Sequence, residues 1–161
     1  QRVVIMGRNG NVNIDDLKNF RTKIEDSLGA EQINSFIESC AKELAARLLA
    51  KVVKRTPVGQ YPASSGKVGG TLRRGWTGGK SLGASAYANS LTVRHTGNVY
   101  TIEIVNPVEY ASYVEFGHRT RGGGGWVEGQ FMLTISEQEI QANARKILES
   151  KIQKKLGECF K

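Results

Sequence analysis

"EQINSFIESCAKELAARLLAKVVKRTPV", residues Glu31 to Val58, is the stretch on which the fold turns. Ile33, Phe36, Ile37, Cys40, Ala41, Leu44, Ala45, Leu48, Leu49, Val52 and Val53 recur at i, i+3 and i+4, which sets them on one stripe of a helix. Lys51, Lys54 and Arg55 fall in its last turns, where cations complement the helix dipole. Pro57 ends the run, because the residue before a proline is pushed out of the helical region. A long helix with a continuous apolar stripe has to be covered by other elements. It is therefore the expected core, with Leu48 near its centre.

Towards the N-terminus, Ile14, Leu17, Ile24 and Leu28 repeat the helical spacing more weakly and predict a short helix over 14–28, stopped by Gly29. Towards the C-terminus, residues 57–86 are rich in Gly and Ser, and only Leu72 and Trp76 suggest a short strand. So long a stretch without regular structure reads as a functional arm. Leu91, Val93 and His95 then alternate with Thr92 and Arg94, "TGN" turns, and Tyr100, Ile102 and Ile104 alternate again, which predicts a β-hairpin. Asn106, Pro107 and Glu109 signal a helix start, so a short helix is expected over 107–116. Gly117 is its expected left-handed C-cap, followed by a mobile loop to Gly125. Trp126–Leu133 reads as extended. Ser136 and Glu139 form a capping box and Ile135 and Ile140 a staple, opening a last helix with Ala144, Ile147, Leu148, Ile152 and Leu156 on its apolar face. Without βαβ alternation the class is α+β. The expected architecture is a small antiparallel sheet packed on the long core helix and a C-terminal helix. It forms one domain over 1–161, with a Gly-rich arm at 57–86 and a flexible loop at 117–125.

A chain of 161 residues suits one domain and can bury a real core. No apolar run approaches the ~20 residues of a membrane span. The opening "QRVVIMGRNG" lacks the features of a secretory signal, so use without export is expected. Cys40 and Cys159 are far apart, with no C-x-x-C, so neither a metal, a disulfide framework nor a cofactor is expected. The net charge is +8, and its distribution is uneven. Between Glu43 and Glu103 there is no acidic residue but nine basic ones: Arg47, Lys51, Lys54, Arg55, Lys67, Arg73, Arg74, Lys80 and Arg94. Such a stretch is either a solvated face or a surface for nucleic acid or an acidic partner, with Lys67, Arg73, Arg74 and Lys80 the candidate contacts.

Catalytic chemistry finds little support. "GWTGGKS" (Gly75–Ser81) is one residue short of a P-loop and no apolar strand delivers it. His95 belongs to a strand pattern and His118 follows a helix stop, so nothing in the spacing brings either together with Glu115 and a nucleophile. Tyr110, Tyr113 and Phe116, three apart, read first as core packing.

The order of these features carries a resemblance. A long helix ends "KRTPV", a basic "GGTLRRGW" follows, then a hairpin, "NPVEYASYVEFGHRTR", and "FM" before a C-terminal helix. This resembles the head–tail joining, or tail-completion, family of tailed bacteriophages and defective prophages, over about Ile33 to Ile140. Its most specific part is Tyr110-Ala111 with Tyr113 to Gly117 and the basic residues after it. "GWVEGQFMLTISEQEI" (Gly125–Ile140) is similar to members from contractile-tail phages and phage-like particles. Two departures bear on the loops: 58–70 is longer than in many members, and Gly129-Gln130 precedes Phe131 where many have proline.

The resemblance implies a non-enzymatic virion protein forming a ring in the neck, of six subunits by that analogy. DNA would pass through without sequence specificity. Implied partners are further copies of the chain, a neighbouring neck or connector protein, and tail tube or sheath proteins, with no membrane. Implied subunit or partner contacts are Arg73, Arg74, Trp76, Tyr110, Tyr113, Glu115, Phe116, Arg119, Arg121 and Trp126. Gly117, Gly122, Gly123, Gly124 and Gly125 would let the loop adapt. The particle would assemble in the bacterial host cytoplasm. The arm is expected to order only against a neighbour. The alternatives are a small basic DNA-binding module, or a phage nuclease using His118.

Overall fold

The computed structural model describes residues 2–6, 12–13 and 29–159. The helix expected over 14–28 lies outside the described residues. Helix α1, Ala30–Arg55, buries the stripe that its sequence set out, from Ile33 through Leu44, Leu48 and Leu49 to Val52. Strands β3 (Val93–Thr96) and β4 (Val99–Glu103) form the expected antiparallel hairpin. Tyr100 and Ile102 point from β4 into the core. The class is α+β.

The sheet is larger than the hairpin. Strand β1 (Arg2–Met6) pairs in parallel with β4, from Arg2 opposite Val99 to Met6 opposite Glu103, and β2 (Val12–Asn13) pairs antiparallel with β1. The order is β2-β1-β4-β3, a mixed sheet with one parallel pairing. Residues 3–6 are an unbroken apolar run with no alternation to read, and their partner β4 lies far along the chain.

Five further differences position the functional surface. "TLRRG" is helix α2, Thr71–Gly75, where a strand was expected. A spacing of four puts Leu72 and Trp76 on one face in either geometry; both are buried, which a helix achieves because Gly75 lets its backbone press against residues 106–108. A Cβ on Gly75 would lie 2.2 Å from the Asn106 Oδ1. Residues Ala84–Ser90, read as loop at their start, form helix α3, fastened by a hydrogen bond from the Lys42 ammonium to the Asn89 carbonyl.

Helix α4 spans Ala111–Phe116 and starts later than expected. Asn106 does not cap it: its Oδ1 accepts from the Val108 N–H and its Nδ2 donates to the Leu72 carbonyl, so the side chain holds the approach to α4 against α2. Helix α5 runs Met132–Cys159 and begins a turn before Ser136. The expected capping box is therefore helix interior. Ser136 is buried and donates to the Met132 carbonyl, and Glu139 binds Lys51 and Arg55 instead. Lys51 and Arg55 meet α5 near its start, while the Lys151 ammonium reaches the Ser39 carbonyl, so α1 and α5 run antiparallel.

The glycine-rich loop is shorter than expected. Gly117–Arg119 (β5) pairs with Trp126–Glu128 (β6), leaving only 120–125 as the turn. Gly117 has the anticipated positive φ, 85°, but its ψ of 171° is extended rather than left-handed helical. The chain passes directly from α4 into β5. A Cβ at 117 would lie 2.4 Å from the Val127 carbonyl oxygen, so the close approach demands glycine as much as the torsion does.

Candidate interaction surface

Glu115 organises the region from α4 to α5. Its side chain is buried, and one carboxylate oxygen accepts from the Leu133 N–H while the other accepts from the Thr134 N–H and the Thr134 hydroxyl, at 2.8–2.9 Å. These are the donors a helix start leaves unpaired, and a negative charge there also suits the helix dipole. A side chain eighteen residues upstream thus does what Ser136 was expected to do. The main chain adds two more ties: the Gln130 N–H donates to the Val114 carbonyl and the Phe131 N–H to the Glu115 carbonyl. Phe131 takes a positive φ of 46° between them, an uncommon conformation for a phenylalanine that these bonds enforce.

This bracing holds a group of large apolar side chains in solvent. Tyr110, Tyr113, Phe116, Trp126 and Phe131 are each between 40% and 58% exposed, and Val127 and Ile135 are similarly open. The expectation of core packing for Tyr110, Tyr113 and Phe116 is corrected: the core side of α4 is taken by Glu115 and, in part, Val114. Several exposed aromatics on one hydrogen-bonded support have the composition of a protein-contact surface. His118 lies edge-on to Tyr113, with ring centroids 5.8 Å apart.

Arg73 and Trp76 go elsewhere. The Trp76 Nε1 donates to the Thr56 Oγ1 at 2.8 Å, and Arg73 donates twice to the Thr56 carbonyl at the C-terminal end of α1. Thr56 in turn donates to the Val52 carbonyl. "TPV" and "LRRGW" are thus two halves of one lock that caps α1, and Trp76, 4% exposed, belongs to this chain's own core. Arg74 bonds the Gly69 carbonyl. Arg119, Arg121 and Gly122–Gly125 are exposed at the hairpin turn.

The acid-free stretch is largely engaged within the fold. Arg47 pairs with Glu43, Lys51 and Arg55 share Glu139, and Arg73 and Arg74 bind backbone carbonyls, so five of the nine cations already hold structure. The Lys51 hydrogen bond, with Arg55 beside it, holds the Glu139 carboxyl below its ordinary range. Lys67 lies over the Tyr61 ring at 5.9 Å, and Lys67 and Lys80 are exposed. His95 stacks on Tyr100 across the β3–β4 pair, at 4.2 Å between centroids, and so stands apart from His118. Among the described residues no group of three or more His, Cys, Asp or Glu could hold a metal ion, and no helix is long and apolar enough to cross a membrane.

Glu137, half-buried one turn into α5, carries a buried Oε1 with no hydrogen-bond partner. Burial, and then the Glu115 carboxylate, push its carboxyl up from 4.5 to about 7. The folded chain therefore holds a proton that the unfolded chain releases, and the stability this contributes is complete below 4.5 and lost as pH rises through about 7. Folding stability should fall by ~1–2 kcal/mol across that window, after allowance for solvent screening of a half-buried group. Urea unfolding at several pH values checks this: Glu137→Gln should remove the slope. The same slope in the variant would assign it to another group.

The bacteriophage family HK97-gp10-like, described as "Bacteriophage HK97-gp10, putative tail-component", matches residues 18–117, which is 100 of the 161 residues. The chain belongs to this family. No curated protein and no solved structure matches it. The HK97-gp10-like match takes in the Thr56–Arg73–Trp76 lock and α4 with Glu115, and it stops at Gly117, where β5 begins. The residues that carried the resemblance to head–tail joining proteins thus prove to be mainly the chain's internal fastenings. The exceptions include Tyr110, Tyr113, Phe116, Arg119, Arg121, Trp126 and Phe131, which face solvent.

Proposed function

We propose that this bacteriophage tail component is a ring-forming neck subunit that completes a contractile-type tail and joins it to the head connector, with DNA passing through the ring. The exposed aromatic surface of α4 and the β5–β6 hairpin carries this reading. A subunit that braces five aromatic side chains in solvent has a partner to cover them, and a chain of this family meets its partners in a virion. A closed ring, of six copies by resemblance, requires a head-to-tail contact between two different surfaces of one chain, and this surface supplies one of them. Neighbouring neck, tube or sheath proteins would meet the ring's two faces. The contractile type rests on the likeness of Gly125–Ile140 to members from contractile tails.

A free DNA-binding module has less to stand on, since five of the nine cations are held within the fold. Electron microscopy of the purified protein and of whole particles tests the reading. Closed rings alone, and rings on the tail axis in particles, are expected. A chain that remains monomeric and binds DNA with an affinity falling steeply with salt would overturn it in favour of the DNA-binding module.

A further inference from the structure

Among the described residues, the aromatic surface is one of two groups of exposed large apolar side chains, with Leu82 and Val105 exposed singly. The other is the segment 57–70, which links α1 to α2. It has a single 3-10 turn, Ala63–Ser65, and from Gly59 to Val68 every residue is exposed, including Tyr61 at 51% and Val68 at 79%. The hydrogen bonds of its exposed part, Ser65 to the Pro62 carbonyl and the Lys67 N–H to the Ser65 Oγ, are internal to the turn, while its end is tied to α2 by Arg74 at the Gly69 and Gly70 carbonyls. The segment carries Lys67 and no acidic residue, and the exposed side chains of Arg74 and Lys80 lie beyond it in sequence, again without an acid between them.

The aromatic surface has the opposite character where it is densest. Glu109 precedes Tyr110, and Glu128 lies opposite Gly117 at the base of the hairpin, both exposed. The surface's own cations, Arg119 and Arg121, are displaced to the other end of the hairpin, at its turn. Aromatic faces flanked by carboxylates suit an apolar segment that brings ammonium groups, since cations are attracted both to ring faces and to the carboxylates. Lys67 already lies over a tyrosine ring in its own segment.

We infer that residues 57–70 of one copy, through Tyr61, Lys67 and Val68, dock on the aromatic surface formed by α4 and the base of the β5–β6 hairpin of a second copy. The inference rests on the proposed ring. Its contact is heterologous, because segment and surface are different parts of the chain, so each copy offers one and receives the other. It also revises the sequence expectation for the arm: "TLRRGW" is committed to the core, and the reaching part is the stretch before it.

A photo-crosslinking residue in place of Tyr61 in the full chain tests this, with heavy- and light-labelled copies mixed so that crosslinks between copies are identified by mass. Crosslinks between copies to residues 109–131 are expected. Val68→Asp should raise the concentration at which the oligomer dissociates by at least tenfold and leave the monomer's melting temperature unchanged, because the side chain is exposed. Oligomers that form normally but crosslink at another surface, or that tolerate Val68→Asp, would overturn this docking and leave the ring intact. Crosslinks confined within one copy would overturn it by assigning the segment to its own chain. A chain that stays monomeric at every concentration and is absent from tail-axis rings in particles would overturn the ring and the docking together.

Discussion

Trp76→Ala is expected to destabilise the fold by about 3–5 kcal/mol, the usual range for removing a buried tryptophan. The side chain is 4% exposed and packs with Leu72 against the core. Its loss also strips a hydrogen bond from the Thr56 hydroxyl, a fully buried group that then has only the Val52 carbonyl as partner. Leaving a buried polar group under-satisfied adds to the cavity term. Trp76→Phe separates the two effects: it keeps most of the apolar volume and forfeits the donor, so a smaller loss of ~1–2 kcal/mol is expected. Urea unfolding with an unchanged m-value is the measurement. A cost below ~1 kcal/mol for the alanine variant would mean that Trp76 faces a partner subunit after all.

How much of this could be read from the sequence depended on the range of the interaction. The stripe of α1 and the alternation of the β3–β4 hairpin are local periodicities, and both were legible residue by residue. The functional surface was legible in composition but not in placement. Tyr110, Tyr113 and Phe116 at helical spacing fit a core face and an exposed face equally well, and what decides between them is Glu115 occupying the inward position. The caps were misplaced for the same reason. Ser136 and Glu139 have the spacing of a capping box, but a box is a local option that loses when another segment supplies a better acceptor. Here Glu115 takes the Leu133 and Thr134 amides, and Arg55 takes Ser136 and Glu139. Arg73 likewise looks like a free cation until Thr56 is brought beside it. One signal was available in hindsight: a lone Glu inside an aromatic-rich helical turn has to find donors if it is buried, and its cation at i+4, Arg119, lies beyond the helix stop at Gly117.

Glu115→Ala should therefore cost about 3 kcal/mol, more than an ordinary N-cap, because a buried carboxylate makes three hydrogen bonds here and each is strengthened by its charge. Glu115→Gln should fall between, at ~1–2 kcal/mol, since the amide keeps one acceptor oxygen and turns an N–H₂ toward donors. The effect should also be local. Hydrogen exchange at the Leu133 and Thr134 amides should accelerate in both variants, while the amides of α1 around Leu48 keep their protection in proportion to global stability. Removing the charge also relieves the repulsion that helps to raise Glu137, so the pH dependence predicted for wild type should weaken in Glu115→Gln. If the aromatic surface is the contact that assembles the ring, loosening the junction between α4 and α5 should impair assembly even where the chain still folds. Tyr113→Ala should impair assembly without loss of stability, because that ring is more than half exposed. A Glu115→Ala variant with wild-type stability and impaired assembly would instead place this carboxylate directly at the subunit contact, the role that the family resemblance implied.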